Sequence, residues 1–154
     1  MIALREAAEF LSLLNQNKVQ YLIIGGMAVN IHGYTRATSD LDIWYKPSKE
    51  NYEALLKSIQ SFGFEIEPIK KLSNNETKGF VRLPMDPFCI ELLATIDGKL
   101  GFDTTYAKAY MFDLQGTPVP VIGYDELIQN KIMSRRAKDL EDIAQLERRR
   151  NQKN

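Results

Sequence analysis

The sequence predicts an α/β or α+β domain, in which a small mixed β-sheet is flanked by helices. Two observations support this fold class. Short apolar runs of strand length alternate with longer segments whose apolar residues recur at helical spacing. Clusters of Gly, Pro, Asn and Ser separate these segments. The 154 residues are enough for one domain with a single core. We expect that domain over residues 1–150, with a polar tail at 151–154.

The composition is that of a globular protein, with 44% hydrophobic and 26% charged residues. Twenty basic and twenty acidic residues cancel, which argues against a protein that coats nucleic acid through bulk charge. The single cysteine, Cys89, excludes an intrachain disulfide and suits a reducing, cytoplasmic location. It lies in an apolar run, so we expect a buried, unreactive thiol. No segment reaches the roughly 18 apolar residues of a membrane span, and no signal peptide is evident.

The first half of the chain has the pattern helix, strand, short helix, strand, helix. Residues 2–16 carry an apolar stripe at helical spacing, and a four-residue apolar strand follows at 21–24. The expected later elements of this half are a Gly-Gly turn at 25–26, a helical segment at 27–32, a polar loop at 33–39, a strand from 40 to 45, and a helix over 49–61. Ser48 is a suitable N-cap for that last helix, and Gly63 ends it.

The second half alternates strands and helices in the same way. The expected elements, in chain order, are a strand at 64–67, a loop at 68–79, an antiparallel strand pair at 80–83 and 88–94, a short helical turn within 101–109, strands at 110–114 and 119–122, and helices from 124 and over about 137–149. Pro118 and Pro120 predict that their strand lies at a sheet edge. We expect the last helix to pack through Leu140, Ile143 and Ala144.

The stretch from Tyr21 to Tyr45 carries the strongest functional signal. Glycines after a strand allow close approach of the backbone to a ligand. The helix that follows offers unpaired N–H groups to an anion such as phosphate. Asp40 and Asp42 are two residues apart, so on a strand they point to the same face. Their carboxylates can converge on one or two divalent cations, and oxygen ligands of this kind suit Mg²⁺ or Mn²⁺.

Each feature also has a plain structural interpretation. A Gly-Gly pair is often only a tight turn, and two strand aspartates can form a solvated face. Aspartate is disfavoured in strands, and here the apolar residues Leu41, Ile43 and Trp44 surround the two acids. Such a strand must place its acids in a cleft or in water. The short connection to the Gly-Gly pair favours the cleft.

These residues resemble a known family. The pattern hydrophobic-Gly-Gly, thirteen residues, Asp-Leu-Asp over residues 23–43 resembles the signature of the nucleotidyltransferase superfamily related to DNA polymerase beta. The string GGMAVNIHGYTRATSDLDIW is similar to the small bacterial branch of AbiEii-like toxin nucleotidyltransferases and single-domain relatives. The resemblance implies a nucleotidyltransferase-type fold, a Mg²⁺ or Mn²⁺ cofactor, and transfer of a nucleotide from an NTP to a hydroxyl acceptor. It also suggests a toxin-antitoxin component.

Glu91 is the candidate for a third carboxylate. It is the sole charge in the strand sequence FCIELLAT, and a charge in a central strand is costly unless it is paired or metal-bound. The resemblance implies an acid on the strand beside Asp-Leu-Asp, although the family more often has aspartate there. The alternative is an edge-strand glutamate that faces water.

The predicted nucleotide contacts are Gly25, Gly26, Arg36, Ser39 and Lys131. Arg36 precedes the carboxylates and would reach a phosphate, or else lie on the surface. Lys131 falls within an expected buried stripe, where a lysine needs a carboxylate or a ligand phosphate.

The C-terminal string KIMSRRAKDLEDI resembles the family's K…R-x-K-D…D string. That resemblance implies a phosphate ligand in Lys131 and, less directly, roles for Asp139 or Asp142. For these two aspartates the sequence favours surface ion pairs, since Asp142 lies four residues after Lys138. His32, the only histidine, is expected to make a structural hydrogen bond.

Two functional classes follow. The first is a Mg²⁺-dependent nucleotidyltransferase whose acceptor is RNA such as tRNA, a protein or a small molecule. The second is a nucleotide-binding or partner-binding module that keeps the fold with little turnover. A cognate antitoxin or another protein partner is compatible with either class, and no membrane contact is expected.

Overall fold

The computed structural model describes residues 2–74, 80–85 and 88–153. Within these ranges the chain forms seven helices and six strands. In chain order they are α1 (Ile2–Gln16), β1 (Tyr21–Ile24), α2 (Gly25–Ile31), β2 (Asp40–Tyr45), α3 (Lys49–Phe62), α4 (Glu67–Asn74), β3 (Phe80–Pro84), β4 (Cys89–Leu93), α5 (Phe102–Tyr106), β5 (Tyr110–Leu114), β6 (Thr117–Val121), α6 (Tyr124–Ser134) and α7 (Ala137–Lys153). None of these helices is both long enough and apolar enough to cross a membrane.

The strands form one mixed sheet in the order β3-β4-β2-β1-β6-β5. β2 runs parallel to β4, and β1 runs parallel to β6. The pairs β1–β2, β3–β4 and β5–β6 are antiparallel. The predicted fold class, a small mixed sheet flanked by helices, is therefore confirmed. The two central strands, β1 and β2, are the ones that carry the Gly-Gly and Asp-Leu-Asp segments.

The core lies where the first and third helices pack on the sheet. The predicted stripe of α1 is buried through Ala7, Phe10, Leu11 and Leu14. Phe10 meets Phe62 of α3 edge to face, with ring centroids 5.3 Å apart. The predicted ends of α3 are confirmed. The Ser48 hydroxyl accepts a hydrogen bond from the Asn51 N–H, and Gly63 ends the helix at φ 115°.

The segment after Gly63 differs from the prediction. Residues 64–67 form no strand, and most of the predicted loop at 68–79 is the helix α4, Glu67–Asn74. Residues 75–79 lie outside the described part of the chain. Pro68 is compatible with a helix at this position because the first turn needs no N–H from it. The negative charge of Glu67 interacts favourably with the positive N-terminal end of the helix dipole. Ile69 is buried.

The two prolines do not mark a sheet edge. Pro118 and Pro120 lie in β6, which has β1 on one side and β5 on the other. β6 pairs with β1 only around Ile23 and Val121, and the Ile122 N–H donates to the Ile23 carbonyl. The N–H groups of even-numbered residues in β6 therefore point toward β1, and positions 118 and 120 lie outside the short stretch where β6 pairs with β1. The missing proline N–H groups therefore cost no ladder bond with β5.

The last two helices bury different residues from those predicted. In α6, for which the helical spacing predicts a buried stripe of Leu127, Ile128 and Ile132, Leu127 is buried but Ile132 is 45% exposed. In α7, Leu140 is 55% exposed, and the buried residues are Asp139, Asp142 and Leu146. The expected packing face of Leu140, Ile143 and Ala144 is therefore wrong. The helix also continues to Lys153, past its predicted end near 149 and through most of the predicted tail.

Candidate active site

Three acids lie on one face of the neighbouring strands β2 and β4. Asp42 of β2 lies directly opposite Glu91 of β4, and Asp40 lies opposite Cys89. Because residues two apart on a strand share a face, all four side chains point the same way. Oxygen or sulfur atoms of Asp40, Cys89 and Glu91 all lie within 4.8 Å of one another. The expectation that Glu91 lies beside the Asp-Leu-Asp strand, on the side of its acids, is thus confirmed.

Gly25 is required by the approach of one of these acids. It has φ +68°, and a Cβ at this position would collide with the Asp42 carboxylate. A Cβ on Gly26 would lie 2.8 Å from Thr38 Oγ1 and 3.2 Å from Arg36 Nη2. The glycines are the first residues of α2 rather than a separate turn. Their predicted role in binding a triphosphate stays a prediction, and their observed role is to admit side chains of the chain itself.

Asp42 carries the most perturbed carboxyl group of the site. Burial raises its pKa to about 7, assisted by a hydrogen bond to Glu91 and by repulsion from Glu91 and Asp40. Asp42 Oδ1 is buried and has no hydrogen-bond partner among the described residues. A buried carboxylate oxygen of this kind is costly unless a cation meets it.

The donor set suits a hard divalent cation. Asp40, Asp42 and Glu91 offer only oxygen atoms, and the unsatisfied Asp42 Oδ1 provides a ligand with no competing bond. Oxygen donors favour Mg²⁺ or Mn²⁺ over softer metals. Burial raises the pKa of the Cys89 thiol, so the sulfur stays protonated at neutral pH and is a poor ligand for such ions. The residues present therefore fit the predicted cofactor.

A cavity of about 520 Å³ opens beside these acids. Gly25, Asp42 and Glu91 form one part of its wall, and Lys131 and Arg136 form another. Its size lies within the range of small-molecule sites, about 300–1,000 Å³. A cavity lined by both carboxylates and cations can hold a phosphate chain together with its metal ions.

Three predicted nucleotide contacts, Gly26, Arg36 and Ser39, do not line this cavity. Arg36 and Ser39 line a second, mainly apolar cavity of about 580 Å³, which also reaches Asp40. Ser39 Oγ donates to Asp40 Oδ1 at 3.5 Å. Arg36 is not free, because it forms a two-point ion pair with Asp142, and its side chain is 23% exposed. Their contacts to a nucleotide stay predictions.

Lys131 lies at the centre of a buried network of charges. Its Nζ donates to Asp139 Oδ1 and to Asp142 Oδ2, both at 3.0 Å. Asp139 and Asp142 are almost fully buried, so the expectation of surface pairing with Lys138 is wrong. Burial alone would raise the pKa of Asp139, but hydrogen bonds from Arg136 and Lys131 outweigh it and lower the pKa. The predicted buried position of Lys131 is confirmed, and its phosphate contact stays a prediction.

His32 makes the structural hydrogen bond that was expected. Its Nε2 lies 2.7 Å from the Ile122 carbonyl oxygen, and its ring meets those of Tyr110 and Tyr124. These contacts fix the end of α2 against the strand β6. His32 lines neither the cavity beside the acids nor the one beside Arg36.

Solved structures share this architecture. No protein-family model and no curated protein matches the sequence. TM1012 from Thermotoga maritima, a candidate nucleotidyltransferase, is similar over 93% of this chain and 91% of its own, with TM-score 0.63 and 14% identity. The chain has the nucleotidyltransferase fold.

Two antibiotic-modifying proteins share that fold. ANT(2'')-Ia, solved with adenylyl-2''-tobramycin, aligns over 95% of this chain and 88% of its own, with TM-score 0.57 and 12% identity. The lincosamide antibiotic adenylyltransferase LnuA, solved with lincomycin, aligns over 93% of this chain and 95% of its own, with TM-score 0.50 and 15% identity. At these identities the likeness concerns the fold alone, and the resemblance to the AbiEii-like branch stays a prediction.

Proposed function

We propose that this chain is a metal-dependent nucleotidyltransferase, which moves a nucleoside monophosphate from an NTP to a hydroxyl acceptor. One observation carries the proposal: Asp40, Asp42 and Glu91 share one face of two neighbouring strands, and Asp42 and Glu91 line a cavity that Lys131 and Arg136 also line. No described residue offers a hydrogen-bond partner to the buried Asp42 Oδ1. The nucleotidyltransferase fold supports the same conclusion.

Asp40, Asp42 and Glu91 would hold Mg²⁺ or Mn²⁺. When bound, the metal supplies charge neutralisation for the phosphates and favours deprotonation of the attacking hydroxyl. Lys131 and Arg136, which also line the cavity, would offset phosphate charge. The backbone at Gly25 and Gly26 would face the triphosphate. Lys131 already donates to Asp139 and Asp142. It would therefore act on the phosphates through its one remaining N–H, or through its positive charge without a direct hydrogen bond.

Glu91 would orient the acceptor and take its proton. Its side chain is 18% exposed, so it reaches the cavity while staying close to Asp42. The acceptor hydroxyl loses its proton to this carboxylate, its oxygen forms a bond to the α-phosphorus, and the bond to the leaving pyrophosphate breaks. The acceptor would be a hydroxyl of RNA such as tRNA, of a protein, or of a small molecule, as the antibiotics are for ANT(2'')-Ia and LnuA.

A transfer assay with a matched pair of variants tests the proposal. The protein is incubated with α-labelled NTPs, Mg²⁺ or Mn²⁺, and separate pools of RNA, protein and small polyols. Asp42→Asn should abolish labelling, while Asp113→Asn, an exposed aspartate on β5, should leave it unchanged. Transfer by Asp42→Asn at the wild-type rate would eliminate the metal-pair mechanism.

A binding module without turnover is the second candidate. Glu91 accepts a hydrogen bond from Arg82 at 3.3 Å, which competes with metal binding and with proton transfer. Calorimetry separates the two, since metal-dependent NTP binding with no transfer to any pool supports the module. A toxin role is tested separately: growth arrest on expression, relieved by Asp40→Ala or by a cognate antitoxin, would support it.

A further inference from the structure

A five-residue charge network lies next to the proposed active site. It contains three cations, Arg36, Lys131 and Arg136, and two anions, Asp139 and Asp142. Lys131, Asp139 and Asp142 have side chains exposed by 3%, 0% and 1%, respectively. Buried ions are costly unless every one is paired, and apolar residues of similar size often serve stability as well. The network therefore calls for an explanation beyond stability.

Every carboxylate oxygen of the network is occupied. Asp142 accepts Arg36 Nε at 2.7 Å on Oδ1, and on Oδ2 it accepts Arg36 Nη2 and Lys131 Nζ, each at 3.0 Å. Asp139 accepts from Lys131 and from both the side chain and the backbone N–H of Arg136. Such planar two-point pairing with arginine fixes orientation as well as distance. The geometry of Asp142 thus determines where Arg36 lies.

Arg36 belongs to the segment of residues 33–39, which leads into β2, the strand that carries Asp40 and Asp42. It lies four residues before Asp40, and its backbone N–H donates to Asn30 Oδ1 at 2.9 Å. Its Nη2 lies against Gly26, at 3.2 Å from where a Cβ would stand. Residues 33–39 are therefore held between α2 and α7, and the side chain of Asp142 makes the link to α7. Movement of this segment would move the Asp40 carboxylate.

We propose that Asp142 is a positioning residue for nucleotidyl transfer. It acts through Arg36 to hold residues 33–39, and so fixes Asp40 relative to Asp42 and Glu91. It does not line the cavity beside the acids, whereas its partner Lys131 does. The inference rests on the proposed function for its kinetic part only, because the ordering of residues 33–39 can be measured without any turnover.

The kinetic test compares Asp142→Asn with two matched variants. Asp142→Asn should lower kcat about 10–100-fold with the KM for NTP changed less than about threefold, because misplaced reacting groups slow chemistry more than binding. Asp139→Asn, equally buried but without a contact to Arg36, should mainly raise KM through Lys131 and Arg136. Asp125→Asn, on the exposed face of α6, should leave both parameters unchanged. A kcat for Asp142→Asn within about threefold of wild type would overturn the proposal.

A double-mutant cycle identifies the route of the effect. If Asp142 acts through Arg36, the double variant Arg36→Gln with Asp142→Asn should be no slower than the worse single variant. Asp142→Glu, which keeps the charge, should restore part of kcat. Additive losses in the double variant would show that the two residues act independently, against the proposal. If Asp142→Asn fails to fold, Arg36→Gln replaces it, because Arg36 is the more exposed member of the pair. The same fall in kcat with little change in KM is expected for Arg36→Gln.

Hydrogen exchange separates this inference from the proposed function. Amides of residues 33–41 should exchange faster in Asp142→Asn and Arg36→Gln than in wild type, whereas in Asp139→Asn they should not. A wild-type protein that transfers nothing would end the proposed function, and the exchange result would still decide whether Asp142 orders this segment. Unchanged exchange at 33–41 in both Asp142→Asn and Arg36→Gln would refute the positioning role.

Discussion

Replacing Asp42 with asparagine should make the protein more stable while removing its activity. The pKa of Asp42 is raised from 3.8 to about 7, chiefly by burial. Between these two pH values the folded protein holds a proton that the unfolded chain has lost. Stability therefore falls as pH rises through this window, and the loss is complete above pH 7. An asparagine has the same shape and no charge, so it avoids this loss.

The size of the effect follows from the same pKa values. The difference between 3.8 and about 7 corresponds to at most about 4 kcal/mol, at about 1.36 kcal/mol per pKa unit. Asp42 is only half-buried, so screening by solvent reduces this value. We expect Asp42→Asn to raise the free energy of unfolding by about 1–3 kcal/mol at pH 8, and by almost nothing near pH 4.

Urea unfolding between pH 4 and 8, in EDTA, measures this difference directly. Asp113→Asn is the control and should stay within about 0.5 kcal/mol of wild type at every pH, as expected of an exposed site. Saturating Mn²⁺ should stabilise the wild type at pH 8 and have little effect on Asp42→Asn. A difference between wild type and Asp42→Asn that does not grow with pH would refute the conclusion that burial raises the pKa of Asp42.

Three further predictions concern the same region. Gly25→Ala should destabilise the protein by about 2 kcal/mol or more and weaken Mn²⁺ binding measured by calorimetry, because the new Cβ meets the Asp42 carboxylate at a positive φ. Lys131→Met should cost about 3–5 kcal/mol in urea unfolding, since it leaves Asp139 and Asp142 short of a buried cation; a loss below about 1 kcal/mol would contradict this account. The gain in melting temperature from Mg²⁺ should be larger at pH 8 than at pH 5.5, because protons compete for Asp42.

Local patterns in the sequence were sufficient for part of the site. The two-residue spacing of Asp40 and Asp42 determines that they share a face on any strand. A lone glutamate in an apolar strand needs a charged partner or a metal ion, and this requirement identified Glu91 as the candidate third carboxylate. Capping residues at Ser48 and Gly63 defined the ends of α3. Each of these inferences depends only on neighbours within a few positions along the chain, and the structure agrees with all of them.

Long-range contacts decided the rest. The burial of Asp142 depends on Arg36, 106 residues earlier, and no local signal in α7 distinguishes a buried aspartate from one paired on the surface. β6 is an interior strand because β1 lies on one side of it and β5 on the other. The two prolines carry no information about these neighbours, so the predicted edge position was wrong. Gly25 must be glycine because Asp42 approaches it across the antiparallel pair β1–β2. Sequence alone thus determined that Asp40 and Asp42 share a face and that Glu91 is a lone charge in an apolar strand. The tertiary structure determined which charges are paired, since pairing joins elements far apart in the chain.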